Sequence, residues 1–211
     1  MKYPWLVMLS FAAVGAIVLG FYAIRLEPIR KQAPSSTPVT TPLTTPTITF
    51  VDPSRGPTSA KVTIVEFADF QCEPCAATAK ALAELMAVRT DIRVVWKNLP
   101  SESHALALPA AVASLCADRQ GKFWEYHDAL FAERASLSFE RLRDIAFDLK
   151  LDQAAFASCL DAQETLPLVR RNVEEAQALG LTASPTLFIG SERVVGAVTL
   201  EELERYVDET R

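Results

Sequence analysis

Histidine is nearly missing from this 211-residue chain, which carries only His104 and His127, and cysteine is limited to Cys72, Cys75, Cys116 and Cys159. A zinc site built on the close pair Cys72 and Cys75 needs two more ligands, ideally a second close cysteine pair or a histidine pair. Cys116 and Cys159 are isolated, and neither histidine has an obvious acid or metal partner in the sequence. Four cysteines are also too few for a disulfide scaffold at this length. No block of Lys and Arg stands out and the net charge is −5, which argues against a nucleic-acid partner. A Gly-rich phosphate loop, a Ser–His–acid set, paired catalytic carboxylates and internal repeats are all missing. What is left is one close cysteine pair in a chain that is half hydrophobic and 22% charged, a composition that suits one main globular domain.

Residues 4–24 hold no charge, and the run is long enough to cross a bilayer core. Tyr3, Trp5 and Tyr22 stand at its edges, where amphipathic rings favour the interface. A cleaved signal peptide is the competing reading, but Phe21 and Ala23 make a poor cleavage pattern and the stretch is long for a signal core. Residues 1–25 are therefore read as a membrane anchor or signal-anchor helix. Residues 26–49 read as a linker rich in Pro and Thr, too polar to fold and kept extended by proline. Its segment from Gln32 reaches roughly 55 Å when extended.

The folded domain is expected over residues 50–211. Val62–Phe67 and Ile92–Trp96 are apolar, β-branched runs that read as buried strands. Between them, from Cys72 to about Val88, Ala79, Leu82 and Met86 mark one helical face, giving a βαβ unit with a right-handed crossover. A helical stretch follows over about 104–180. Phe139, Leu142, Ile145 and Leu149 share one face there, Ser138 and Asp152 are N-cap candidates, and Gly180 is placed to end the last helix. Thr186–Ile189 and Arg193–Val195 read as a hairpin around Gly190 and Ser191, and Thr199 with Glu202 forms a capping box for a terminal helix. Phe123, Trp124, Tyr126 and Phe131 are assigned to the core rather than to a binding patch.

Cys72-Glu73-Pro74-Cys75 follows a strand and a short loop and opens a helix. At that place the first sulfur sits on unpaired backbone N–H groups at the positive end of the helix dipole, which favours the reactive thiolate. Cys75, one turn in, is expected to be the more buried sulfur and to resolve a mixed disulfide.

FADFQCEPCAATAK resembles the active-site segment of the DsbA-like thiol–disulfide oxidoreductases of the thioredoxin superfamily. KNLPSESHALALPAAVASLCADRQGKFWEYHDALF resembles their helical insertion, and ASPTLFIGSERVVGAVTLEELERYV their closing strands and terminal helix. The resemblance runs from about Lys61 to Val207. It implies an α/β thioredoxin-like fold with an all-helical insertion, here behind an N-terminal transmembrane helix. It implies Cys72 as nucleophile, Cys75 as resolving cysteine, and Ser184-Pro185 as a cis-proline loop that binds an extended substrate strand. Glu66 matches a buried acid that handles protons near the resolving thiol, and Lys97 matches a partner for that acid. The alternative for Glu66 is an acid at a strand edge in water. Cys116 and Cys159 read as two buried free cysteines or, as the resemblance supports, a structural disulfide between insertion helices.

The sequence departs from the strongly oxidising members of the family, which carry a histidine between the cysteines. Glu73 opposes a thiolate and Pro74 has no N–H to give, so the pair is expected to be less oxidising. The expected partners are folding or unfolded protein substrates with cysteines and a membrane redox partner that recycles the site. No cofactor or metal is expected beyond the Cys72–Cys75 pair itself. The expected location is the cell membrane, single-pass, with the domain on the extracytoplasmic, periplasmic side. Rival readings are a membrane-anchored reductase of a maturation pathway, and a non-catalytic folding helper or metal carrier.

Overall fold

The computed structural model describes residues 43–210. The expected anchor at 1–25 and the linker up to residue 42 lie outside these residues. Among the described residues no helix is long and apolar enough to cross a membrane.

The centre is β2 (Val62–Ala68), whose VTIVEFA run is buried on both faces. It pairs in parallel with β3 (Ile92–Asn98), from Val62↔Ile92 to Ala68↔Asn98. The connection is α1 (Glu73–Val88), so the βαβ unit forms as its apolar pattern requires. On its other side β2 pairs antiparallel with β4 (Thr186–Ile189), which turns into β5 (Glu192–Val195). A two-residue strand β1 (Ser54–Arg55) closes the edge beyond β3, giving the order β1-β3-β2-β4-β5. It is too short to carry a periodic signal, and the sequence reading missed it.

Between β3 and β4 the described chain holds only helices: α2 (Ala107–Asp118), α3 (Phe123–Ala132), a 3-10 turn (Arg134–Ser136), α4 (Phe139–Asp148), α5 (Gln153–Asp161) and α6 (Leu166–Ala178). Ser138 caps α4 by accepting from Arg141 N, and Asp152 caps α5 by accepting from Ala155 N. The terminal helix α7 (Leu200–Glu209) starts on the Thr199–Glu202 capping box. Gly180, just past α6, has φ +65°, the left-handed conformation that glycine adopts without a Cβ clash.

Strand alternation divides the core. Val62, Ile64, Val94 and Leu187 face α1 and α7 and pack with Leu82, Leu85, Leu203 and Val207. Val65, Phe67 and Val95 face the other way and pack against Ala176 of α6 and Leu179 at its C-cap. A third cluster joins Cys72, Cys75 and Trp96 to the insertion helices, and includes Phe123, Tyr126 and Phe131. Phe139, expected on the buried face of α4, is 63% exposed. It is the first residue of α4, and the buried stripe begins a turn later at Leu142, Ile145 and Ala146.

The linker boundary also moves. Thr47, expected in the stalk, is tied to the domain: its carbonyl accepts from Lys97 Nζ at 2.7 Å and its N–H donates to Glu175 Oε1. Phe50, where the domain was expected to begin, is 99% exposed. Order enters through backbone hydrogen bonds, which residue composition does not report.

Candidate active site

Cys72 is the N-cap of α1, with an extended backbone at φ −74° and ψ 123°. Its Sγ accepts a hydrogen bond from Cys75 N at 3.1 Å, as an N-cap oxygen does in an ordinary helix. Pro74 falls in the first turn, where a backbone N–H has no partner inside the helix, so the proline costs the helix nothing there. Cys72 and Cys75 are joined in a disulfide with Cα atoms 5.2 Å apart. Cys75 is fully buried, while Cys72 is 5% exposed. The Ser184–Pro185 bond is cis, and the Ser184 carbonyl oxygen lies 3.5 Å from Cys72 Sγ. Glu73 is exposed and ion-pairs with Arg134 Nη2 at 3.3 Å, so its charge beside the pair is partly balanced.

Glu66 is 1% exposed, and its Oε1 has no hydrogen-bond partner among the described residues. In β2 it shares a face with Ile64 and Ala68, the face covered by α1. Burial pushes its carboxyl up to about 8, against a smaller opposing effect of the Arg55 charge. The reading of Glu66 as a strand-edge acid in water is thereby replaced.

Lys97 is not its partner. The parallel register sets Glu66 beside Trp96 and Phe67 beside Lys97, so Lys97 points to the opposite face of the sheet. There, 1% exposed, it ion-pairs with Asp52 at 2.9 Å and Glu175 at 3.0 Å. Burial raises the Asp52 carboxyl, but the hydrogen bonds from Lys97 and Thr49 outweigh it and hold the group below its ordinary value. The correction follows from the pleat: two strand residues share a face only when the pairing register aligns them.

Cys116 of α2 and Cys159 of α5 are bonded, with Cα atoms 5.9 Å apart. All four cysteines are thus paired in this structure.

Both histidines have acid partners that sequence reading missed. His104 Nδ1 lies 2.8 Å from Asp69 Oδ2, and the buried Asp69 also accepts from Gln71 N and Ser101 N. Gln71 Oε1 accepts from Leu106 N in turn, so the loop before Cys72 is pinned to the loop after β3. His127 Nδ1 lies 2.7 Å from Asp128 Oδ1. Burial pushes the His127 imidazole below its ordinary value, against the opposing pull of Asp128. Asp69 stands three residues before Cys72, the one signal in the sequence that could have singled it out; its contact with His104 spans 35 positions.

Residues 49–209 match the thioredoxin family. The Na(+)/H(+) antiporter NhaA 3 of Salinispora tropica is 36% identical over 162 residues, 74% of this chain but 25% of that protein. The chain thus spans about a quarter of the length of such relatives. The thiol-disulfide exchange protein alpha-DsbA2 of Wolbachia pipientis superposes with a TM-score of 0.70 at 25% identity, covering 77% of this chain and 88% of that one. A thioredoxin-like oxidoreductase of Silicibacter pomeroyi superposes with a TM-score of 0.69 at 26% identity, covering 77% and 94%. With its bonded Cys72–Cys75 pair at a helix start, this chain belongs to the thioredoxin family, among the DsbA-like thiol–disulfide oxidoreductases.

Proposed function

We propose that this chain catalyses dithiol–disulfide exchange on protein substrates outside the cytoplasm, held at the membrane by an uncleaved helix within residues 1–25. The observation that carries the reading is Cys72 Sγ at the start of α1, bonded by Cys75 N at 3.1 Å and 3.5 Å from the Ser184 carbonyl oxygen. A substrate strand laid along Ser184 brings its thiolate to Cys72 by main-chain pairing, which suits many sequences. The thiolate attacks Cys72 Sγ, and the electron pair of the broken Cys72–Cys75 bond leaves on Cys75. A second substrate thiolate then displaces Cys72 and completes the substrate disulfide. Buried Glu66 exchanges the proton of Cys75, and a membrane redox partner reoxidises the pair. No other cofactor is needed.

The second disulfide and the uncharged run of residues 4–24 support an oxidising compartment beyond a membrane. Arg134 blunts the charge of Glu73, and the Cys75 N–H survives beside Pro74; both favour an oxidase or isomerase over a reductase.

Equilibration of the full chain with glutathione, read by mass-shift thiol labelling, tests direction. A potential between about −120 and −200 mV supports the reading; one near −270 mV puts the reductase in its place. Cys75→Ser should accumulate a mixed disulfide with substrate on Cys72, and Cys72→Ser should form none. Equal activity in Cys72→Ser would turn the assignment towards a folding helper.

A further inference from the structure

The buried polar atoms without a hydrogen-bond partner among the described residues include Glu66 Oε1, Arg55 Nε and His127 Nε2. Each such atom is destabilising if nothing satisfies it. The three are chemically complementary. With Nδ1–H given to Asp128, His127 Nε2 is a bare acceptor. A protonated Glu66 has an O–H to donate and a second oxygen to accept, and Arg55 Nε–H is a donor.

The fold gathers them on one face. Glu66 of β2 is in register with Trp96 of β3, and the Trp96 ring lies 4.8 Å from the His127 imidazole. Arg55 of β1 is in register with Val94, which shares the face of Trp96. Its guanidinium lies 4.4 Å over the Trp124 ring and 3.6 Å from Asp128 Oδ2. Asp128 is exposed, and it lines a groove of about 270 Å³ between α1 and α3 with Ala76 and Ala79. The titratable or charged groups on this face are Cys75 and Lys80 of α1, Arg55 of β1, His127 and Asp128 of α3, and Tyr206 of α7. The strand β4 presents Leu187, α7 presents Leu203 and Val207, and Arg93 and Lys97 point away.

We infer that His127, held by Asp128 and flanked by Arg55, is the proton outlet of Glu66 and joins the buried resolving thiol to solvent in the α1–α3 groove. When a mixed disulfide on Cys72 is resolved, the Cys75 thiol gives its proton to Glu66 in its ionised form. The Cys75 thiolate attacks Cys72 Sγ; the Cys72–Cys75 bond forms, and the substrate sulfur leaves with the electron pair of the broken bond. Glu66 passes the proton to His127 Nε2, and the Nδ1 proton leaves through Asp128 to water. The opposite direction runs the same transfers backwards. His127 and Asp128 touch no sulfur, so they are positioning residues acting through Glu66. The inference rests on the exchange reading above.

The test is single-turnover resolution of a Cys72–peptide mixed disulfide in the full-length chain from pH 5 to 9, following release of a labelled thiol. Glu66→Gln should abolish the inflection that the wild type shows. His127→Gln and Asp128→Asn should each slow resolution by about tenfold and displace the inflection, at an unchanged reduction potential. The double variant Glu66→Gln/His127→Gln should be no slower than Glu66→Gln alone. A wild-type profile in folded His127→Gln overturns the inference, as does a wild-type profile in Glu66→Gln. Should His127→Gln not fold, the surface variant Asp128→Asn decides by the same criterion. A wild type that resolves no mixed disulfide at any pH overturns the exchange reading itself, and the inference with it.

Discussion

A carboxyl held protonated inside a sheet makes stability depend on pH in a defined direction. Glu66 titrates near 4.5 in the unfolded chain and about 8 in the fold. Between those values the folded state keeps a proton that the unfolded chain has released. Stability therefore falls as pH rises from about 4.5 to about 8 and is flat above. Glu66→Gln removes the ionisation, so its stability advantage over the wild type should grow across that window, up to about 4 kcal/mol at pH 8. Urea midpoints at pH 5 and pH 8 measure it, and an equal gap at both values would place Glu66 in water. Lys97 presents the opposite case. It is a buried cation between two acids, so Lys97→Met leaves Glu175 without that cation and Asp52 with Arg171 in its place, and should cost about 3–5 kcal/mol. Because it lies on the other face from Glu66, the same substitution should leave the pH profile of disulfide exchange in place.

At the scale of the element, helix ends carry the chemistry. At the start of α1 a cysteine sulfur stands where Ser138, Asp152 and Thr199 put an oxygen at the starts of α4, α5 and α7. Capping and thiolate stabilisation are one interaction seen from two sides. The α7 capping box holds the helix that packs Leu203 and Val207 under α1. Thr199→Ala should lower stability by about 1 kcal/mol, read from the urea midpoint. A larger loss would mean that α7 also orders the neighbouring turn, where Val198 N donates to Thr78 Oγ1 of α1.

Across the whole molecule, a covalent tie braces the insertion and an ionic tie holds the leading segment and α6 to the sheet. The Cys116–Cys159 bond joins α2 to α5 across a separation of 43 residues. Cys116→Ala/Cys159→Ala should lose about 3–4 kcal/mol of stability, seen as a lower Tm, and should still exchange disulfides below it. Loss of exchange at a temperature where the variant is folded would give this bond a part in the reaction. On the far face of the sheet, Lys97 binds Asp52 and the Thr47 carbonyl from the leading segment and Glu175 from α6.

The sequence alone determined the local pieces. The apolar runs of β2 and β3, the caps at Ser138, Asp152 and Thr199, the hairpin at Gly190 and the placing of Cys72 at a helix start all depend on neighbours a few residues away. The bonded pair 43 residues apart and the cis bond at Pro185 were expected through resemblance, not through spacing. Only the tertiary structure decided which face each strand residue takes relative to its neighbour strand. The β2–β3 register separates Lys97 from Glu66 by the thickness of the sheet, although both stand in apolar strands and match the family pattern. Only the structure could bring Asp69 to His104, or set Glu66 beside the Trp96 ring that packs on His127. These groups come from distant parts of the chain, and polar contacts across such separations have no periodicity. The hydrophobic pattern sets which residues are inside; the packing of those insides sets which buried polar groups meet.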